Sequence, residues 1–169
     1  MKTVQKLKPL LLTLIILIVD QISKLLIVKN IPIHTIGKSF FGGILRIIHT
    51  RNLAIAFSMG KNLPDGVRYV LFTIIPIAIL IGLFVYFLKS NDFTNIQRWA
   101  VAGILGGGVG NLIDRVFRPL GVVDFMDVKF FGIFGLERWP TFNVADSMVV
   151  VSGLLLLFSF IFEDLKKHE

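Results

Sequence analysis

Cysteine is absent from the 169-residue sequence. Its absence excludes a disulfide framework, a thiolate metal site and a cysteine nucleophile. Histidine is also scarce. The three histidines, His34, His49 and His168, are scattered without the spacing of metal ligands, so we expect no metal site. The sequence has no internal repeat and no linker, which predicts a single domain over residues 1–169.

Acidic residues are few, with 11 Asp and Glu against 18 Lys and Arg, and the formal net charge is +7. In a soluble protein this excess would suggest a nucleic-acid partner. Here the basic residues flank apolar segments, where they meet anionic lipid head groups, and no basic–aromatic nucleic-acid module is present. We therefore expect membrane lipids as partners and no nucleic acid.

Apolar residues are abundant. Hydrophobic residues make up 54% of the chain, 16 of them Phe, and the mean hydropathy is +0.78, which predicts a membrane protein. A spanning helix needs about 20 mostly apolar residues. Four stretches qualify or nearly qualify, at residues 9–28, 69–88, 98–117 and 143–163, and they are joined by long loops at 29–66 and 118–142.

The first stretch has a second interpretation as a signal peptide, because Lys2, Lys6 and Lys8 precede it. No small-residue cleavage site follows the apolar run, and Asp20 and Lys24 interrupt it, which favours an uncleaved helix. An even number of spans places both termini on one side of the membrane. The two long loops then share the opposite side.

Span parity also brings the unusual polar residues to one face of the membrane. These residues are Asp20, Lys24, Asn52, Asp114, Arg115, Asp124 and Asp146. Basic residues on the terminal side predict cytoplasmic termini, although loop 29–66 is itself basic. We therefore expect a multi-pass membrane protein with cytoplasmic termini and with these polar residues at the opposite face.

The long loops contain candidate strands. Residues 39–50 are rich in aromatic and β-branched residues and are interrupted by Gly42-Gly43, which predicts one or two short strands; 129–135 is another candidate strand or an interfacial segment. The glycine run 103–110 resembles a phosphate loop only superficially, since no Lys-Ser/Thr follows it. Its four-residue spacing instead predicts close helix packing.

Two polar groups lie at helical spacing. Asn111, Asp114 and Arg115 share one helical face, where Asp114 is expected to form an ion pair that closes the helix end. The Arg115 guanidinium could bind a substrate carbonyl or a lipid phosphate as well as pair locally. Asp20 and Lys24 are expected to form a structural pair, with Lys24 extending towards the interface.

Asp124 and Asp146 are the main candidates for acid–base chemistry. Asp124 is expected in a loop after Gly121, and Asp146 opens a helix. Asp146 has an alternative role in which its charge stabilises that helix end, with Asn143 as the cap. If the two carboxyl groups share one site, one pKa rises, so that one group acts as base and the other as acid.

Five motifs occur in the order in which they occur in the lipoprotein signal peptidases, and through them the chain resembles that family. These enzymes, also called type II signal peptidases, are membrane aspartyl proteases of bacteria. The motifs are Val19-Asp20-Gln21-Ile22-Ser23-Lys24, Arg51-Asn52 through Ala56-Phe57-Ser58, Gly110-Asn111-Leu112-Ile113-Asp114-Arg115, Gly121-Val122-Val123-Asp124-Phe125, and Pro140-Thr141-Phe142-Asn143-Val144-Ala145-Asp146-Ser147. The similarity covers nearly the whole chain.

The resemblance implies a mainly α fold of four transmembrane helices with a small extracytoplasmic β-sheet and an interfacial segment over the site. It implies a single membrane-embedded domain, an aspartic endopeptidase of the bacterial cytoplasmic (inner) membrane that removes signal peptides before a diacylglyceryl-modified cysteine, with its site at the extracytoplasmic face. The implied catalytic residues are Asp124 and Asp146, and the implied substrate- and inhibitor-binding residues are Asn52, Asn111, Arg115, Val122 and Asn143. Asp20, Lys24 and Asp114 would be structural.

The implied partners are diacylglyceryl-modified prolipoproteins and globomycin-type inhibitors. No cofactor is expected, because two carboxyl groups supply both proton transfers, and a monomer is the expected state. The sequence departs from the family pattern at Leu53-Ala54-Ile55, where larger side chains replace smaller ones. The stretch Asp127–Trp139 is also long and aromatic, which suggests an extra contact with the membrane surface.

Two other functions remain open at this level. A small transporter or proton channel would also carry carboxylates in the membrane, but it would place them nearer the midplane and often in repeated halves. A non-enzymatic assembly subunit would explain the glycines and the basic ends but not two separate aspartate motifs at one face.

Overall fold

The computed structural model of the protein describes residues 3–53, 60 and 63–167. Lys2, His168 and the segment 54–59 lie outside the described residues. That segment contains Ala56-Phe57-Ser58 of the second motif and Ala54-Ile55 of the departure from the family pattern.

Helices dominate the chain. In order, the elements are α1 (Thr3–Leu7), α2 (Leu10–Asn30), β1 (Ile36–Phe40), a 3-10 turn (Phe41–Gly43), β2 (Leu45–Asn52), α3 (Asp65–Tyr69), a π-helical turn (Val70–Ile74), α4 (Ile75–Lys89), α5 (Asn95–Phe117), β3 (Val122–Ile133), β4 (Leu136–Arg138) and α6 (Val144–Lys167).

Four helical segments of the described chain are long and apolar enough to cross a membrane, which confirms the expected fold class. They are Gln5–Asn30, Asp65–Lys89, Asn95–Phe117 and Val144–Glu163. Helix α5 is central, because it packs against α2, α4 and α6. Its own start is fixed by a capping box, in which Thr94 and Gln97 exchange side chain-to-backbone hydrogen bonds.

The glycines of α5 permit this packing, as their spacing predicts. A Cβ at Gly107 would meet the backbone carbonyl of Ala145 and lie 2.7 Å from Val149, both on α6. A Cβ at Gly110 would lie 2.8 Å from a carboxylate oxygen of Asp20 on α2. Glycine therefore lets α2 and α6 approach the same turns of α5 closely.

A four-stranded antiparallel sheet in the order β1-β2-β3-β4 joins the helix ends. Strands β1 and β2 flank Gly42 and Gly43, as predicted. The third strand is longer than the expected segment 129–135, since it runs from Val122 to Ile133. The Asp127–Trp139 stretch forms most of the β3–β4 hairpin, and its expected contact with the membrane surface stays a prediction.

The expectation of a loop at Asp124 is wrong, because Asp124 lies in β3, opposite Thr50 of β2. The β-branched residues around it favour an extended strand, and alternation sends its neighbours to the other face of the sheet. There Val123 and Phe125 pack with Ile27 of α2. The apolar contact of the sheet with α2 thus holds Asp124 at the ends of the long helices.

Candidate active site

The two candidate aspartates come from different elements and meet at one place. Asp124 lies near the start of β3 and is 3% exposed. Asp146 lies in the first turn of α6 and is half-buried. The strand is fixed by its ladder to β2 and the helix by its packing against α5, so both carboxyl groups lie on rigid elements.

Asn143 connects the two carboxyl groups. Its Nδ2 lies 2.8 Å from Oδ1 of Asp124, and its backbone N–H donates to Oδ2 of Asp146 at 3.1 Å. Its Oδ1 in turn accepts the backbone N–H of Asp146 at 2.9 Å. This reciprocal pair is a helix cap, so the alternative role predicted for Asn143 and Asp146 is present together with the contact to Asp124.

Two further amides complete the arrangement. Asn52, at the end of β2, donates its Nδ2 to Oδ2 of Asp124 at 3.1 Å. Asn111 of α5 donates its Nδ2 to Oδ1 of Asp146 at 2.7 Å, and its Oδ1 accepts from Asn143 at 3.0 Å. Both oxygens of each carboxyl group therefore have an N–H donor. Val122 is buried beside this site, paired with Asn52 in the strand register.

The environment of Asp124 favours its neutral form. Burial is the largest cause, and the charge of Asp146 adds to it, so that the pKa of Asp124 rises to about 7. Hydrogen bonds from Asn52 and Asn143 and the charge of Lys24 act in the opposite direction and lower that pKa. A carboxyl group that titrates near neutral pH suits general acid–base chemistry.

A charged cluster lies beside the amides. Lys24 Nζ is 2.9 Å from Asp20 Oδ2 and 3.2 Å from Asp114 Oδ2, and all three side chains are fully buried. The expected pairing of Asp20 with Lys24 is confirmed, but the expectation that Lys24 extends to the interface is wrong. Its ammonium stays inside because buried acceptors surround it, which removes the need for solvation by water.

Asp114 closes the end of α5 as predicted, and its partners include residues that the sequence interpretation missed. Arg118 Nε lies 3.0 Å from Asp114 Oδ1, and Gln21 donates to the same carboxylate at 3.3 Å. The backbone N–H of Val123 donates to its Oδ2 at 3.0 Å, which connects α5 directly to β3. The spacing of four residues from Asp114 to Arg118 was a signal that could have identified this pair.

A cavity of about 330 Å³ opens beside Asn52. It is bounded by the start of the second span and the end of α5, and its lining includes Arg68, Phe72, Arg115 and Arg118. The Arg115 guanidinium lies over the Phe72 ring, 5.7 Å from its centroid. Arg68 and Phe72 were not predicted as site residues, because Arg68 directly precedes the apolar run of the second span, Phe72 lies within that run, and neither belongs to a motif.

Metal chemistry has no candidate ligand set in the part of the chain that the structure describes. No group of three His, Asp or Glu side chains there is placed to hold an ion. The geometry instead offers two carboxyl groups, one with a pKa near 7, held by three asparagines next to a partly cationic cavity.

A model of the signal peptidase II family, described as "Signal peptidase (SPase) II", matches residues 12–162, which include all of these site residues. The chain belongs to the signal peptidase II family. The chain is therefore placed among membrane proteases, and the resemblance predicted from the five motifs is confirmed.

Relatives of this signal peptidase II family member support the assignment. It is 46% identical to a lipoprotein signal peptidase of Treponema pallidum, over 90% of this chain and 82% of the relative. It is 54% identical to a lipoprotein signal peptidase of Borrelia hermsii, over 85% of this chain and 83% of the relative.

The fold is similar to that of two solved bacterial membrane enzymes. The first gives a TM-score of 0.79 at 29% sequence identity and covers 95% of this chain and 91% of the solved chain. The second gives a TM-score of 0.76, also at 29% identity, over 90% and 92% of the two chains.

Proposed function

We propose that this protein is an aspartic endopeptidase that removes the signal peptide from bacterial prolipoproteins, cutting before a diacylglyceryl-modified cysteine. The observation that carries the aspartic mechanism is the bridge through Asn143, whose amide and backbone N–H groups reach Asp124 and Asp146. The lipoprotein substrate is supported by relatives named lipoprotein signal peptidase.

The two carboxyl groups have different surroundings, and this difference supports the roles that we propose for them. Both carboxyl groups accept two N–H donors, but Asp146 also sits at a helix N-terminus, which favours a negative charge there. Asp124 is more deeply buried, and its pKa is about 7. In this proposal Asp146 is the base and Asp124 is the acid, although the protons move within a coupled pair.

The reaction then proceeds in two balanced steps. Asp146 takes a proton from a water molecule as the water oxygen bonds to the scissile carbonyl carbon, and Asp124 gives its proton to the carbonyl oxygen. In the second step, the C–N bond of the resulting diol breaks as Asp146 donates the proton that it took from water to the leaving nitrogen. One hydroxyl of the diol returns a proton to Asp124, so both carboxyl groups regain their starting protonation states.

The surrounding residues fit a peptide at a membrane boundary. Asn52 and Arg115 border the cavity next to Asp124 and supply N–H donors for peptide carbonyls. A second cavity of about 290 Å³ lies between α2, α4 and α5 and has an almost wholly apolar lining, which is chemically suited to acyl chains. Its lining residue Leu112 lies one turn of α5 before Arg115.

We further propose that the carboxyl pair faces the extracytoplasmic side of the cytoplasmic membrane and that both termini are cytoplasmic. The basic residues near the terminal ends of the spans support this orientation. A transporter or proton channel is less well supported. The carboxyl pair lies near the end of α5 and the start of α6 rather than at mid-helix, and the family is one of peptidases.

The test is a reaction of the purified protein in lipid bilayers with a diacylglyceryl-modified prolipoprotein. Mass spectrometry of the product should show one cut, with the lipidated cysteine as the new N-terminal residue. The same prolipoprotein without the diacylglyceryl group is the matched control and should be cut far more slowly. Equal cutting of the two forms, or a cut at another bond, would refute the proposed specificity.

A further inference from the structure

The buried ammonium of Lys24 does more than neutralise the neighbouring carboxylates. Its Nζ lies 2.9 Å from Oδ1 of Asn111, in addition to its contacts with Asp20 and Asp114. Asn111 is the residue whose Nδ2 donates to Asp146 at 2.7 Å. Asn111 therefore connects the Lys24 ammonium, through two hydrogen bonds, to Asp146 of the proposed catalytic pair.

An ammonium group has three donors and no acceptor, so only the oxygen of the Asn111 amide can face it. With Oδ1 turned towards Lys24, Nδ2 must point to Asp146. The same Oδ1 also accepts from Asn143 at 3.0 Å, which turns the Asn143 amino group towards Asp124. The donor-only ammonium of Lys24 thus fixes the orientation of the Asn111 amide, and through Asn111 it supports the orientation of Asn143 that the backbone N–H of Asp146 also sets.

We infer that Lys24 is a positioning residue for the peptidase reaction, because its donor-only ammonium fixes the Asn111 amide, which donates to Asp146 and accepts from Asn143. The inference rests on the proposed function. Without Lys24, Oδ1 of Asn111 loses this donor, the present orientation is less strongly favoured, and an amide that turned would present its oxygen to the Asp146 carboxylate. Two facing acceptors repel each other, and Asp146 would move out of position.

Neutralisation alone does not account for the contact with Asn111. Asp20 and Asp114 are balanced by Lys24 and Arg118, so the cluster holds two charges of each sign. A lysine that only balanced charge would need no bond to an amide outside the cluster. If Lys24 only balanced charge, removing one charge of each sign from the cluster would leave the carboxyl pair unaffected. If Lys24 positions Asn111, the same removal would impair the pair, so mutation can separate the two roles.

The charge of Lys24 also affects the pKa of Asp124, which can be measured separately from activity. Lys24 lowers the pKa of Asp124, against the effects of burial and of Asp146. Arg115 of α5 also interacts electrostatically with Asp124. Loss of the Lys24 charge should therefore raise the pKa of Asp124.

The experiment compares Asp20→Asn with the double variant Asp20→Asn/Lys24→Met. The double variant keeps the cluster neutral, because one charge of each sign is lost. The asparagine side chain introduced in both variants can still accept the backbone N–H of Ala145, which Asp20 accepts at 3.0 Å. Relative to Asp20→Asn, the double variant lacks both the ammonium that donates to Asn111 and its charge, and the wild type, whose cluster is also neutral, is the second reference. Thermal unfolding confirms that both variants fold, and Lys24→Met alone is measured for comparison.

We expect kcat of the double variant to fall about 10- to 100-fold below that of Asp20→Asn, with KM within about two-fold, since small misplacements of catalytic groups cost this much. The midpoint of the Asp124 titration should also move to higher pH. Equal kcat in the two variants, or a change confined to KM, would overturn the inference and leave Lys24 with a purely structural role.

Infrared difference spectroscopy of the protonated carboxyl stretch follows Asp124 without any turnover. If the wild-type protein does not cut prolipoprotein, the proposed function fails, and the infrared titration still decides whether Lys24 acts on the carboxyl pair. An unchanged midpoint in the double variant relative to Asp20→Asn would contradict that action.

Discussion

The side-chain amide of Asn143 lies 2.8 Å from Asp124, so the residue that caps α6 also contacts the opposite carboxyl group of the site. The cap fixes where α6 begins, and the start of α6 fixes Asp146. Local helix chemistry and the proposed catalytic geometry therefore depend on the same side chain. This coupling can be tested by comparing two helix caps in the same protein.

Asn143→Ala should lower both stability and activity. Loss of a helix cap costs about 0.5–2 kcal/mol, and loss of the bond to Asp124 should reduce kcat further. The matched control is Thr94→Ala, which removes the cap of α5. Thermal unfolding and cleavage assays should show both variants destabilised and only Asn143→Ala impaired in kcat. Equal losses of kcat would show that the bridge has no specific role.

The contribution of Asp124 to the stability of the folded protein should fall as pH rises from about 4 to about 7. An aspartate in the unfolded chain titrates near pH 4, whereas the pKa of Asp124 is about 7 in the fold. Between these values the folded state binds more protons, so increasing pH favours unfolding, and this contribution ends above about pH 7.

The measurement is the midpoint of thermal unfolding against pH for the wild type and for Asp124→Asn, which cannot titrate at this position. The decline between pH 4 and 7 should be smaller in the variant. Identical slopes for the two proteins would contradict the raised pKa of Asp124.

Cleavage should decline above about pH 7. Asp124 is the acid of the proposed dyad, and deprotonation removes the proton that the carbonyl oxygen requires. The measurement is kcat/KM on a prolipoprotein substrate as a function of pH, because its decline at high pH reports the deprotonation of Asp124 in the free enzyme. A rate that stays constant from pH 6 to pH 9 would show that Asp124 does not act in its protonated form.

Gly107→Ala should disrupt the contact between α5 and α6, because the new methyl group would meet the backbone carbonyl of Ala145. Backbone cannot move aside as a side chain can, so the helices must separate next to Asp146 and Asn111. Gly82→Ala in α4 is the control, since no atom lies within 4 Å of its new methyl group. Gly107→Ala should have the lower unfolding temperature and cleavage rate; equal values would refute the close approach.

The sequence predicts the helices and the polar motifs well because both have strong local signals. Long apolar runs predict the spans, and the spacing of Asp20 with Lys24 and of Gly103 with Gly107 predicts pairing and packing. The Asn143–Asp146 spacing predicts the cap in the same way. Each of these features depends on residues within one or two helical turns.

Contacts between distant segments were not predictable in this way. Asp124 was expected in a loop, because only its pairing with Thr50, far away in the chain, makes it part of a strand. Lys24 was expected near the interface, because its third partner, Asn111, comes from another helix. Burial of a charge depends on acceptors that the fold supplies, and a single-helix pattern does not contain them.

The most direct measurement is the cleavage of diacylglyceryl-modified prolipoprotein by Asp124→Asn and Asp146→Asn. Asparagine keeps the size of each side chain and one acceptor oxygen, so both proteins should fold. Asp92→Asn, which changes a carboxylate bonded to Ser90 between α4 and α5, is the control and should retain activity. We predict that both site variants lose cleavage by at least about 1,000-fold, while thermal unfolding shows folded protein. Substantial turnover by either folded variant would contradict the assignment of Asp124 and Asp146 as the catalytic pair.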